Sequence, residues 1–325
     1  MMNIAEGAGK IINVCAGVRP GENVVIVTDA RRPASLSDSL MAAAEAAGAA
    51  ATKLSFNGSL REGQLSPAAA AAVERAEVLI CVTTKTLAYT KAVGRCKARG
   101  GRVIAITEAT EETFRSGPLE ADYPKLAPRI HHVKAAFDQA ELVRVTAPGG
   151  TDLTLSIKGR TAYTCPGLCR EAGQLIGLPA MEVYIAPLET ETSGVFVADA
   201  SGSGLGLLKN PIRFTIERGK AAAIEGKEES KKLKQVLAAT NNPASYVIAE
   251  FAIGLNPCGG LVGNISVDEG LYGTGHFALG NNLGFGGANE APEHLDMVYW
   301  RPTIELDGRL FMKDGVLCGF PEEQW

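Results

Sequence analysis

The amino-terminal third of the chain alternates continuous apolar runs with Ala-rich helical segments, and that alternation leaves very few folds open. Asn23-Val-Val-Ile-Val-Thr28 is an uninterrupted β-branched run, the composition of a strand covered on both faces. Ala51–Phe56, Val78–Thr83 and Val103–Thr107 repeat it at a spacing of roughly 25 residues. A helical pattern over residues 5–17 precedes the first run. Ser35–Ala47, the segment from the Ser66-Pro67 cap to Ala76, and Leu87–Ala98 fill the gaps, with glycines such as Gly48 and Gly100-Gly101 as stops. Strand–helix–strand units of this length close with right-handed crossovers on a parallel sheet, so the expectation is a Rossmann-like α/β domain.

From Leu142 the rhythm changes. Leu142–Thr146, Thr151–Ile157, Glu182–Pro187, Val195–Asp199, Ile212–Glu217 and Lys220–Ile224 read as strands, separated by turns such as Pro148-Gly-Gly150 and Arg218-Gly219. One helix, Lys227–Ala239, interrupts them, and a helix over Tyr123–Gln139 links the halves. The expected architecture is α/β overall: a Rossmann-like parallel-sheet domain over residues 1–140 and an α+β, largely antiparallel domain over residues 141–325.

The parallel sheet invites a nucleotide, but the first strand runs into Thr28-Asp-Ala-Arg-Arg-Pro33 and not into a glycine fingerprint. Ser201-Gly-Ser-Gly-Leu-Gly206 fails the spacing. A net charge of −4 gives no broad positive field for nucleic acid. The amino terminus lacks the pattern of a signal peptide and no apolar run reaches membrane-spanning length, so a cytoplasmic protein without a membrane partner is expected. Seven scattered cysteines, an odd number, read as thiols and not as a disulfide framework.

Chemistry concentrates between Glu250 and Asp307. Glu250, Asp268, Glu269, His276, His294 and Asp296 fall there, with two of the four histidines, and they are the nitrogen and oxygen donors that a divalent metal takes. His131 and His132, adjacent on a helix, point about 100° apart and do not share an ion in the usual way. The Gly-rich run Gly280-Asn-Asn-Leu-Gly-Phe-Gly-Gly287 is either a flexible flap or an irregular connection.

At these residues the chain resembles the M29 metallopeptidases of the aminopeptidase T and aminopeptidase S type, together with their relatives, the 2,5-dihydroxypyridine 5,6-dioxygenases. Ala180-Met-Glu-Val-Tyr-Ile-Ala-Pro187 is similar to a family segment whose glutamate binds metal, which implies Glu182. Ala249-Glu-Phe-Ala-Ile-Gly-Leu-Asn-Pro257 is similar to the segment of the second such glutamate, Glu250. Val267-Asp-Glu-Gly270 with Gly275-His-Phe-Ala-Leu-Gly280 implies His276 as a ligand and Glu269 as a nearby acid, and His294-Leu-Asp296 matches an H-x-D motif. Leu283 stands where the peptidases carry tyrosine, and the chain is shorter than the peptidases.

The resemblance implies a homodimer and a small-molecule or peptide substrate. The leading expectation is a metalloaminopeptidase-like hydrolase, with two ions of Zn, Co or Mn held by Glu182, Glu250, His276, His294 and Asp296 and with Glu269 as catalytic acid/base. The alternative is a ring-cleaving dioxygenase with Fe(II) on His276, His294 and Asp296. A non-catalytic small-molecule-binding relative is the third possibility.

Overall fold

The computed structural model describes residues 2–57, 60, 64–115 and 117–319. Two compact units emerge, Met1–Ala127 with Cys165–Ala180, and Pro128–Thr164 with Met181–Trp325.

The first unit is built on a five-stranded sheet in the order Ala50–Phe56, Asn23–Asp29, Val78–Thr83, Arg102–Thr107, Leu175–Gly177. Every neighbouring pair is parallel. Val78–Thr83 is buried along its whole length, which is why it reads as unbroken apolar sequence. The last strand comes from the returning segment 165–180, where Cys165 and Cys169 are buried thiols that donate to the carbonyls of Gly177 and Val103 at 2.8 and 3.3 Å. The first helical stretch is α-helical over Ile4–Lys10 and widens to a π-turn over Ile11–Cys15. The helix expected from Leu87 begins at Lys91, because Thr90 caps it by accepting from the Val93 N–H. Beyond the first strand Arg31 is exposed, while Arg32 donates to the Ala109 carbonyl at 3.1 Å.

The second unit holds two antiparallel sheets, in agreement with the expected fold class. An eight-stranded sheet is centred on Thr192–Ala198, Asp152–Ser156 and Leu142–Thr146. A seven-stranded sheet runs Gly206–Leu207, Ser201–Gly202, His294–Trp300, Thr274–Gly280, Ile248–Gly254, Glu182–Ile185, Tyr163–Cys165. Phe196 of the first sheet meets Phe277 and Tyr299 of the second edge-on, with ring centroids 5.0 and 5.4 Å apart. Phe251 continues this layer, 5.3 Å from Phe277 and stacked on Phe137 at 5.5 Å. Each of these rings is fully buried, a gain of about 1.5–3 kcal/mol apiece. His131 and His132 are both exposed. Among the described residues no helix is long and apolar enough to cross a membrane.

Candidate metal centre

Strand alternation separates the aromatic layer from the chemistry. In Thr274–Gly280, Gly275, Phe277 and Leu279 face one way, and Thr274, His276, Ala278 and Gly280 face the other. Directly paired residues share a face, so the register extends this second face across four strands. Gly280 pairs with His294 and Ala278 with Asp296. Ala278 also pairs with Glu250, and Ala252 with His276. On the far side Ala252 pairs with Tyr184 and Gly254 with Glu182. Glu182, Glu250, His276, His294 and Asp296 therefore stand on one face of one sheet, interleaved with the small residues Ala252 and Ala278. A register shift between Ile248 and Glu250 sets the glutamate in this alignment.

Glu250 is the hub. Its Oε1 lies 3.2 Å from His276 Nε2, and its Oε2 lies 3.3 Å from His294 Nε2. His294 Nε2 is also 3.1 Å from Asp296 Oδ1, and His276 Nε2 is 3.6 Å from Glu182 Oε2. Two triads result, Glu182–Glu250–His276 and Glu250–His294–Asp296, in each of which one donor atom per residue lies within 4.8 Å of the others. The triad expected for Fe(II), His276 with His294 and Asp296, is joined through Glu250 and not by direct approach of all three. Glu182 Oε2 and His276 Nδ1 are buried with no hydrogen-bond partner among the described residues. A buried orphan carboxylate oxygen beside three further donors is what a divalent cation satisfies, so the donor set fits a metal.

The charges are mutually dependent. Burial pushes the Glu182 carboxyl up to about 7, with Glu250 and Asp296 adding to the rise against the pull of His276. Burial opposes ionisation of Glu250 as well, but hydrogen bonds from His276 and His294 outweigh it and hold this carboxyl low. Asp296 is likewise held low against burial, chiefly by His294. Burial disfavours the charge on His276, yet Glu250, Glu182 and Asp296 raise it to about 9. Glu269 follows the helical turn Ile265–Asp268 and belongs to neither triad; burial, then Glu182, Asp296 and Glu250, push its carboxyl well above the usual range. Asp268 is fully buried and accepts from the N–H groups of Val262 and Gly263 at 2.8 and 2.9 Å, a loop-holding role apart from the cluster.

The Gly-rich run is an irregular connection tied down at many points. Glu189 accepts from Ala288 N–H at 2.7 Å, from Asn282 Nδ2 at 3.1 Å and from the Arg160 guanidinium at 2.6 Å. Arg160 also donates to the Gly286 carbonyl. Asn282, fully buried, reaches the Ala249 carbonyl next to Glu250 at 3.3 Å and accepts from Asn289 N–H at 2.8 Å. A Cβ at Gly287 would fall 2.0 Å from Asn282 Cγ, so only glycine allows this packing. The neighbouring Asn281 carbonyl accepts from His294 Nδ1 at 2.7 Å, and Phe285 meets the His294 ring edge-on at 5.7 Å. Leu283, in the position of the peptidase tyrosine, is half-exposed.

The structure thus gathers all five expected ligands and sets Glu269 beside them. Glu189, Asn282, Tyr184 and Phe285 are not evident from the sequence pattern. The one local signal is the Asn281-Asn282 pair inside a glycine run, since Asn side chains readily hydrogen-bond loop backbone.

The chain is 26% identical to 2,5-dihydroxypyridine 5,6-dioxygenase of Pseudomonas putida KT2440 over 268 residues, 79% of this chain and 75% of the relative. The structure of a 2,5-dihydroxypyridine dioxygenase from the same organism superimposes with a TM-score of 0.83 at 20% identity, covering 99% of this chain and 98% of that one. AmpT from Thermus thermophilus superimposes with a TM-score of 0.69 at 18% identity, covering 97% and 99%, so the M29 side of the resemblance holds at the level of fold. The expectation of a metalloaminopeptidase-like hydrolase is overturned by the family match, because at such low identity likeness to AmpT carries the fold alone. Residues 8–319, nearly the whole chain, match the family model for 2,5-dihydroxypyridine 5,6-dioxygenase, NicX, and the chain is an enzyme-family member of that dioxygenase group.

Proposed function

We propose that the protein is a non-haem Fe(II) dioxygenase that opens the ring of a dihydroxylated aromatic heterocycle of the 2,5-dihydroxypyridine class. The observation that supports it, beyond family membership, is that His276 Nε2 and His294 Nε2 both approach the single carboxylate of Glu250, with Asp296 Oδ1 alongside. Two imidazoles and an aspartate gathered around one glutamate include the two-histidine, one-carboxylate donor set of a mononuclear iron oxygenase. His276, His294 and Asp296 would hold the ion, with Glu250 between them. Bound Fe(II) supplies open coordination positions for O₂ and an aromatic diol.

The rest falls to the protein. Asn281 fixes the His294 tautomer, so that Nδ1 carries the proton and Nε2 is left to ligate. Glu269, outside both triads, is the residue that takes a proton from a substrate hydroxyl or returns one. The test is to load the protein with Fe(II) without air and add 2,5-dihydroxypyridine and O₂. One iron per chain and O₂ uptake matched to loss of the substrate are expected; iron-loaded protein that consumes no O₂ contradicts the reading.

A further inference from the structure

Beside the ligand cluster runs a line of aromatic rings that neither metal binding nor the core of the second unit explains. Tyr184 lies two residues beyond Glu182 on the same strand and so on the same face, where it pairs with Ala252, which pairs in turn with His276. Ala252 contributes only a methyl group, so no bulky side chain on that strand separates the Tyr184 ring from the carboxylate–imidazole cluster. Tyr184 meets Phe285 edge-on at 5.5 Å, and Phe285 meets His294 edge-on at 5.7 Å. On its other flank Tyr184 stacks on Tyr163, with centroids 5.8 Å apart and ring planes 27° apart. The line therefore passes from a ring exposed at 38%, Tyr163, through the half-buried Tyr184 to the buried Phe285 beside a ligand imidazole.

We propose that Tyr184, flanked by Tyr163 and Phe285, is the specificity-determining wall of the site, against which the flat ring of an aromatic substrate packs as it reaches the metal. This deepens the dioxygenase reading and rests on it. Aromatic rings prefer offset or edge-to-face contact with other rings and gain from it beyond the area buried. A non-aromatic hydroxy compound of similar size gains none of that contact. Phe285 is held in place by the connection that Glu189 and Asn282 tie down, so the wall is in position before the substrate arrives.

The test is equilibrium binding of 2,5-dihydroxypyridine to the Fe(II)-loaded protein under argon, where no turnover occurs. Tyr184→Leu is expected to raise Kd by tenfold or more, with iron content and melting temperature near wild type. Tyr184→Phe, which keeps the ring, is expected to stay within threefold. Wild-type Kd in Tyr184→Leu overturns the proposal, and so does an equal loss in Tyr184→Phe, which would assign recognition to the hydroxyl. Should Tyr184→Leu fail to fold, the exposed edge position serves instead: a loss of threefold or more in Tyr163→Leu supports the wall and no change overturns it. Wild-type protein that binds no dihydroxypyridine overturns the dioxygenase reading itself, a failure visible before any variant is made.

Discussion

The Nδ1 nitrogen of His294 lies 2.7 Å from the carbonyl oxygen of Asn281, and since a carbonyl only accepts, Nδ1 carries a proton and Nε2 is turned towards Glu250 and Asp296. The orientation of the His294 ring thus depends on a glycine-rich connection, which depends in turn on Asn282 and Glu189.

Asn282→Ala removes the contacts to Glu189 and to the Ala249 carbonyl and leaves buried partners unsatisfied. A stability loss of about 1–3 kcal/mol is expected in urea unfolding. Because Asn281 shares the loop, Fe(II) affinity is expected to fall by about 10–100-fold in an anaerobic titration. Unchanged affinity in a folded variant would show that the connection does not orient His294.

Glu189 gives the fold an acid-sensitive element. Partial burial works against its charge, but the Ala288 N–H, Arg160 and Asn282 outweigh it and hold the carboxyl below the usual range. A carboxylate with a lowered folded pKa contributes stability that is present above its unfolded value of about 4.3 and is lost as pH falls through the folded value. Wild type should therefore lose more stability than Glu189→Gln between about pH 5 and pH 3 in parallel urea titrations. Parallel curves would contradict this.

Ala278 pairs with both Glu250 and Asp296 and is fully buried. Ala278→Leu places a bulky side chain between two carboxylates of the cluster. Overpacking should cost about 1–3 kcal/mol of stability, while Fe(II) affinity drops by more than tenfold. Calorimetry and metal titration on the same preparation compare the two effects.

Replacing Glu269, which lies outside both triads, tests the proposed proton role separately from metal binding. Glu269→Gln is expected to retain one iron per chain while kcat falls by about 10²–10⁴-fold, the usual contribution of a positioned acid or base. Loss of iron in this variant would instead make Glu269 a ligand.

The parallel sheet was legible because Asn23–Asp29, Val78–Thr83 and Arg102–Thr107 are buried runs punctuated by helix stops. The strand Leu175–Gly177 was not, since three residues carry no periodicity and their pairing with Val103–Ala105 is long-range. The orientation of Glu250 could not be read from its strand either: Ile248–Gly254 is buried throughout, so no alternation marks a face. That Glu250 binds metal is an expectation carried by the resemblance alone, and its neighbours follow from the register. Tyr184 looked like any strand aromatic until pairing set it across Ala252 from His276.

Isotope labelling of the product reaches the reaction most directly. Fe(II)-loaded protein supplied with 2,5-dihydroxypyridine and ¹⁸O₂ in unlabelled water should give a ring-opened product in which mass spectrometry finds both atoms of one O₂ molecule. A product formed without O₂, or one whose new oxygen comes from water alone, contradicts dioxygenase chemistry at the His276–His294–Asp296 site.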